Sequence, residues 1–209
     1  MTKDRIEAGS LGWTHPSWDN DYYPEDLPED WRLDYYSHHF QVILMQTSEW
    51  LQASEDDAAQ WLVDVKDSFV FFLAIEPQAL SVAAIKQLGL INAVLGERLQ
   101  GLVIFKASHG LQESIVEQLK SMVTVYVDAD QLTGLPTGTR SCWRSGRDVT
   151  NCEIGFIIPD VAKNMRAMRA QIEEFLKQSS AEQLYLIYEG EPPSTKSMQD
   201  AQVIIQMLT

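Results

Sequence analysis

An α/β fold with a parallel sheet is what this sequence predicts, on two observations. Short apolar runs alternate with stretches of helical periodicity from one end of the chain to the other, the arrangement that places helices outside a parallel sheet. With 209 residues, 45% of them hydrophobic, the chain can also bury one continuous core, so a single domain over 1–209 is expected.

The apolar runs at 6–11, 41–45, 69–75, 101–105, 123–127, 153–158 and 184–188 read as strands, with 140–144 an eighth if it is not loop. Between them, Pro28-Glu29-Asp30-Trp31 opens a helix that should end near His39, because Pro and acids suit a first turn whose amides are free. Ser54 caps a second helix through about Val65. The stretch 81–99 forms a third, interrupted at Gly89 and Gly96, and 110–122 a fourth. Pro159-Asp160 opens a long amphipathic helix to about Gln178, whose stripe Met165, Met168, Ile172, Phe175 and Leu176 is core. The last helix starts at Ser194 or Ser197 and runs through Val203, Ile204 and Met207. The segment 133–151, with Gly134, Pro136, Gly138, Gly146 and three arginines, reads mainly as loop.

Charge narrows the partners. The net charge is −14, and residues 1–64 hold 14 acids against three basic residues, a local net of −11. Such a surface repels phosphate backbones and anionic lipid, so neither nucleic acid nor membrane is an expected partner, whereas a basic protein is compatible with it. No apolar run approaches the ~18 residues needed to span a bilayer, and the opening MTKDRIEAGS lacks a signal-type segment, so a cytoplasmic protein is expected. Cys142 and Cys152 have no CxxC spacing and read as reduced thiols. Neighbouring His38 and His39 would point about 100° apart on a helix and could not grip one ion. No Walker or Rossmann phosphate loop and no G-x-S-x-G elbow occurs, so neither a metal nor an organic cofactor is expected.

The loop after the first strand, GSLGWTHPSWDNDYYPEDLPEDWRLDYYSHHF, is the most specific stretch. Its Gly12-Trp13, Pro16, Trp18, Tyr23-Pro24, Leu27-Pro28, Trp31, Tyr35-Tyr36 and His39-Phe40 resemble, in order and spacing, the opening of the YecE-like family, domain of unknown function 72. Weaker echoes lie in 69–75, Gly96-Glu97-Arg98-Leu99 and the finish LYLIYEGEPPSTKSMQDAQVIIQML. The resemblance implies a TIM-like (β/α) barrel of about seven to eight parallel strands. Because the chain is short for one, the barrel is expected to be incomplete or distorted, with 133–151 replacing a β/α unit. The resemblance also implies losses. Leu44 and Gln46 stand where the family carries glutamate and asparagine, Lys106 aligns with a glutamine, and Glu189-Gly190 with paired asparagines; Ala74 and Ile75 fall where the third strand ends in lysine. The Arg-x-His-Gly and Glu-x-Arg-His patterns have no counterpart.

In a barrel, chemistry sits at the C-terminal ends of strands. The candidate ligand-binding residues are therefore Trp13, His15 and Trp18 after the first strand, Gln46 after the second, Lys106 after the fourth, Asp128 at the fifth, and Tyr188 and Glu189 at the last, with Tyr22, Tyr23, His109, Asp130 and Glu191 near them. Flat aromatic faces beside a few donors suit a small polar ligand, and the same aromatics would equally serve to pack the loop on the rim. The alternative function is a catalytically inactive scaffold whose acidic, aromatic N-terminal region binds a protein partner.

Overall fold

The computed structural model describes residues 6–107, 111–129, 135–158 and 164–208. Its strands are β1 (Ile6–Leu11), β2 (Val42–Met45), β3 (Val70–Ile75), β4 (Leu99–Ala107), β5 (Val125–Ala129), β6 (Arg140–Ser141), β7 (Trp143–Arg144), β8 (Ile154–Ile157) and β9 (Leu184–Tyr188). They belong to one sheet in the order β6-β5-β4-β3-β2-β1-β9-β8-β7. The helices are α1 (Arg32–His39), α2 (Thr47–Leu51), α3 (Glu55–Asp64), α4 (Val82–Leu95), α5 (Glu113–Lys120), α6 (Met165–Gln178) and α7 (Thr195–Leu208). Parallel registers join β1 to β9, β3 to β4, β4 to β5 and β8 to β9. The fold is the predicted α/β, TIM-like (β/α) barrel.

All seven expected runs form strands, and the stretch 140–144 supplies an eighth, divided by Cys142 into β6 and β7. The expectation that 133–151 replaces a whole β/α unit is corrected here: the strand is kept, and the helix between β7 and β8 is what is missing, since 145–153 contains none. That connection is shorter than the dozen or more residues a helical crossover needs. The start of the loop, Thr133 and Gly134, lies outside the described residues, as do Gly110 and the predicted helix opening at Pro159-Asp160. Helix α6 runs from Met165, with the Asn164 side chain accepting the Ala167 N–H, and Met165 itself is exposed while Met168, Ile172 and Phe175 are buried.

Two compact units make up the chain, Met1–Ile43 with Cys142–Thr209, and Leu44–Ser141. In the first, Gly9 on β1 is obligatory: a Cβ there would meet the Val42 carbonyl oxygen at 2.1 Å. Helix α7 turns Met198, Ala201, Ile204 and Ile205 inward, and leaves Val203 and Met207, predicted as part of its apolar run, exposed. In the second, Phe71, Leu73 and Ile75 of β3 are buried, as are Ile85, Leu88, Ile91 and Leu95 of α4. Gly89 does not interrupt α4, because a glycine inside a helix costs only about 1 kcal/mol and the neighbours pay no steric penalty. Gly96 does end it, at φ +53°, in the left-handed region that suits glycine. Helix α2 was not expected; it is five residues held by a capping box between Gln46 and Glu49.

Candidate functional site

The strand ends of the first unit are organised by aromatic packing. After β1 the chain turns at Pro16–Trp18, and Trp18 becomes almost wholly buried, donating its indole N–H to the Pro193 carbonyl at 2.9 Å. Around it lie His15, Tyr22, Tyr23 and Tyr36, with ring centroids 4.6, 5.2, 5.8 and 6.3 Å away. Tyr23 donates its hydroxyl to the Trp13 carbonyl at 2.7 Å. Tyr36 donates to the Val42 carbonyl and accepts the Ser10 N–H, which ties α1 to the end of β1. The loop is thus a small second core of interlocking rings.

His15 is buried, with Nε2 2.8 Å from the Leu11 carbonyl. A carbonyl can only accept, so Nε2 carries the proton and Nδ1 the lone pair. Burial pulls the imidazole pKa below its ordinary value, opposed in part by the Leu11 and Gly12 carbonyls and by the charge of Glu191. Tyr188, fully buried at the end of β9, has its hydroxyl pKa pushed up by burial and by Asp200, and that oxygen finds no hydrogen-bond partner among the described residues.

Glu189 holds an arrangement that aromatic packing does not explain. Its carboxylate lies 2.5 Å from the Arg144 guanidinium, with side-chain exposures of 10% and 13% respectively. The register explains how they meet. Arg144 pairs with Phe156 and Phe156 with Ile187, so these side chains share one face, and Glu189 two residues on returns to it. The guanidinium also sits 4.7 Å above the Phe156 ring. Both charges stand at the C-terminal ends of their strands.

The second unit places its polar groups differently. Gln46 is the cap of α2, its side chain accepting the Glu49 N–H, which engages it structurally. Thr47 donates to the Ala74 carbonyl at 3.0 Å and to the Glu76 carboxylate. Asp128 is 1% exposed at the end of β5 and accepts the backbone N–H of Lys106 at 3.3 Å. Lys106 is exposed, at φ +53°, a conformation that costs a residue other than glycine roughly 1–2 kcal/mol. His109 and Asp130 lie outside the described residues.

Trp13, His15, Trp18, Tyr188 and Glu189 therefore belong to the first unit, and Gln46, Lys106 and Asp128 to the second. Sequence reasoning missed Arg144, whose only signal was its place at the end of the doubtful strand, and the Thr47–Glu76 pair. It also missed an open cleft of about 390 Å³ beside Lys120, Thr124, Gly138 and Arg140, at the opposite, N-terminal end of β5. Among the described residues no group of three His, Cys, Asp or Glu is arranged to hold a metal ion, and no helix is long and apolar enough to cross a membrane.

Residues 7–87 match the model of a protein family of unknown function, DUF72. A DUF72 family protein of Thermotoga maritima superposes with a TM-score of 0.65 at 12% identity, over 97% of this chain and 99% of that one. Sequence and structure agree over the first strands and their loop. Residues 7–87 carry the DUF72 sequence pattern. A second DUF72 protein, from Enterococcus faecalis, matches at a TM-score of 0.61 and 8% identity over 96% and 95% of the two chains. A D-psicose 3-epimerase crystallised in the presence of D-fructose matches at 0.54 and 6%, over 96% and 97%. At such identities the likenesses concern the fold. No curated protein matches this chain in sequence.

Proposed function

We propose that this chain binds a small polar ligand at the C-terminal ends of β7 and β9, through the Arg144–Glu189 pair. The buried pair carries this reading. Two charges withdrawn from water lose about as much in hydration as they gain from each other, so such a pair is a poor stabilising device. At the strand ends of a barrel it is instead a ready set of hydrogen-bonding groups, where a hydroxyl-rich molecule could accept from the guanidinium and donate to the carboxylate. His15 adds an uncharged imidazole to the same unit. No reaction is assigned.

The test is thermal unfolding against ketoses, aldoses, polyols and small carboxylates, with D-fructose included because it accompanies the epimerase. A ligand at 100 times its dissociation constant stabilises the fold by about 2.7 kcal/mol. The expected result is a shift for at least one compound that Glu189→Gln abolishes while its circular dichroism stays unchanged. A shift that survives in both Glu189→Gln and Arg144→Gln would overturn the assignment to this pair, and the absence of any shift would overturn the reading.

A second reading has one observation in its favour. Trp31 is 61% exposed and is surrounded in sequence by the exposed acids Glu25, Asp26, Glu29 and Asp30. A basic protein surface would suit it. Reversing charge at Asp21 and Asp26 should then weaken capture of a basic partner and leave small-molecule shifts intact.

A further inference from the structure

We infer that the cleft at the N-terminal end of β5 is a second binding site, which takes a phosphate monoester between Lys120 and Arg140. It is independent of the Arg144–Glu189 pair, because every residue that lines it belongs to the unit Leu44–Ser141.

Three pieces of the chain meet there. Helix α5 ends at Lys120, residues 121–124 lead into β5, and the turn at Gly138 leads into β6, which leaves an open cleft of about 390 Å³. That is the size of a small-molecule site. Its charged lining residues are Lys120 and Arg140, and among the described residues no carboxylate lines it, in a chain whose net charge is −14. The cleft thus carries the sign opposite to that of the molecule as a whole, and attracts an anion that the rest of the surface repels.

Both cations are held in place. Lys120 donates from its ammonium to the Glu117 carboxylate at 2.7 Å and to the Thr137 carbonyl at 2.5 Å. An ammonium has three protons, so these two bonds leave one for a ligand. Gly138 permits the approach: its φ of +77° suits glycine, and a Cβ there would come within 2.8 Å of Lys120 Nζ. Arg140 pairs with Tyr126 across β5 and β6, and its exposed guanidinium lies 6.0 Å from the centroid of that ring. The end of α5 would ordinarily face an anion with free carbonyls. Here the Glu117, Gln118 and Leu119 carbonyls already accept bonds from residues 121–123. Glu117 offsets part of the Lys120 charge, so Arg140 carries the larger share of the attraction. A phosphate, with three oxygens pointing in different directions, can meet an ammonium and a guanidinium on separate walls, whereas a planar carboxylate faces one of them.

The test is calorimetry on the full chain at constant ionic strength, with D-glucose 6-phosphate, D-glucose and D-gluconate as probes, so that phosphate, sugar and carboxylate are separated. Wild type is expected to bind the phosphate roughly tenfold or more tighter than either other compound, the worth of a charged hydrogen bond. Arg140→Gln should erase that preference, Lys120→Gln should reduce it, and Arg140→Lys should keep most of it. Because Arg140 is exposed, loss of binding in Arg140→Gln at an unchanged unfolding midpoint distinguishes a lost contact from a damaged fold. Gluconate bound as tightly as the phosphate, a phosphate preference that survives both Arg140→Gln and Lys120→Gln, or no binding of the phosphate by wild type overturns the inference. The Arg144–Glu189 reading is judged by its own variants and stands or falls separately.

Discussion

The two units settle their strand-end charges in opposite ways. In the unit holding β1 and β7–β9, Glu189 is matched by a full opposite charge, Arg144, and the nearby rings close over one another around Trp18. In the unit holding β3–β6, the partly exposed carboxylate of Glu76 meets a neutral donor, the Thr47 hydroxyl. The difference teaches where each unit is vulnerable. Removing one partner of a charge pair strands a charge, whereas removing a neutral donor leaves a carboxylate that water can reach.

Substitutions can break that contrast in order of size. Trp18→Ala should be the most damaging, because it empties a buried indole site and frees the Pro193 carbonyl; about 4 kcal/mol of stability is expected to go, read from the midpoint of urea unfolding. Arg144→Met alone should cost about 3 kcal/mol by removing a charged partner of the buried Glu189, and the double variant Arg144→Met/Glu189→Leu should recover most of it. A double variant as unstable as the single one would mean the two charges act separately. Thr47→Val in the other unit should cost only about 1 kcal/mol, since Glu76 is partly exposed.

The smallest effect is expected from pH. His15 titrates below its ordinary value of 6.5 in the folded chain because burial disfavours its charged form. The unfolded chain therefore takes up the proton first, so the stability His15 contributes is complete above pH 6.5 and declines as the pH falls from there toward its lower folded value. His15→Gln should flatten that decline in a series of unfolding midpoints. An unchanged slope would show that His15 is not buried as described.

Much of the barrel was legible because its strands are apolar runs of four or more residues, a signal that survives without knowledge of neighbours. The elements that escaped are those too short to carry a period. β6 and β7 have two residues each, and α2 has five. Gly89 misled for a different reason: its helix propensity argues for a break, but the buried residues around it in α4 outweigh a penalty of about 1 kcal/mol. The candidate site was less legible still. Arg144 and Glu189 are far apart in sequence and meet only through the registers of β7, β8 and β9. In β4 the register against β5 shifts by one residue between Ile104 and Ala107, and nothing in the run GLVIFKA marks where alternation is reset. Trp18 and its rings were recognised as a specific set, and the structure shows the packing that makes them one.

The division of the chain at β2 also has a bearing on how the protein is made. The unit formed by Leu44–Ser141 is continuous, so a ribosome delivers all of it in one stretch, while the other unit pairs Ile6 on β1 with Leu184 on β9. β1 therefore emerges well before β9, and its edge facing β9 stays unpaired until then. Nascent chains should accordingly be protected from protease first over Leu44–Ser141, and over β1 only once β9 has emerged.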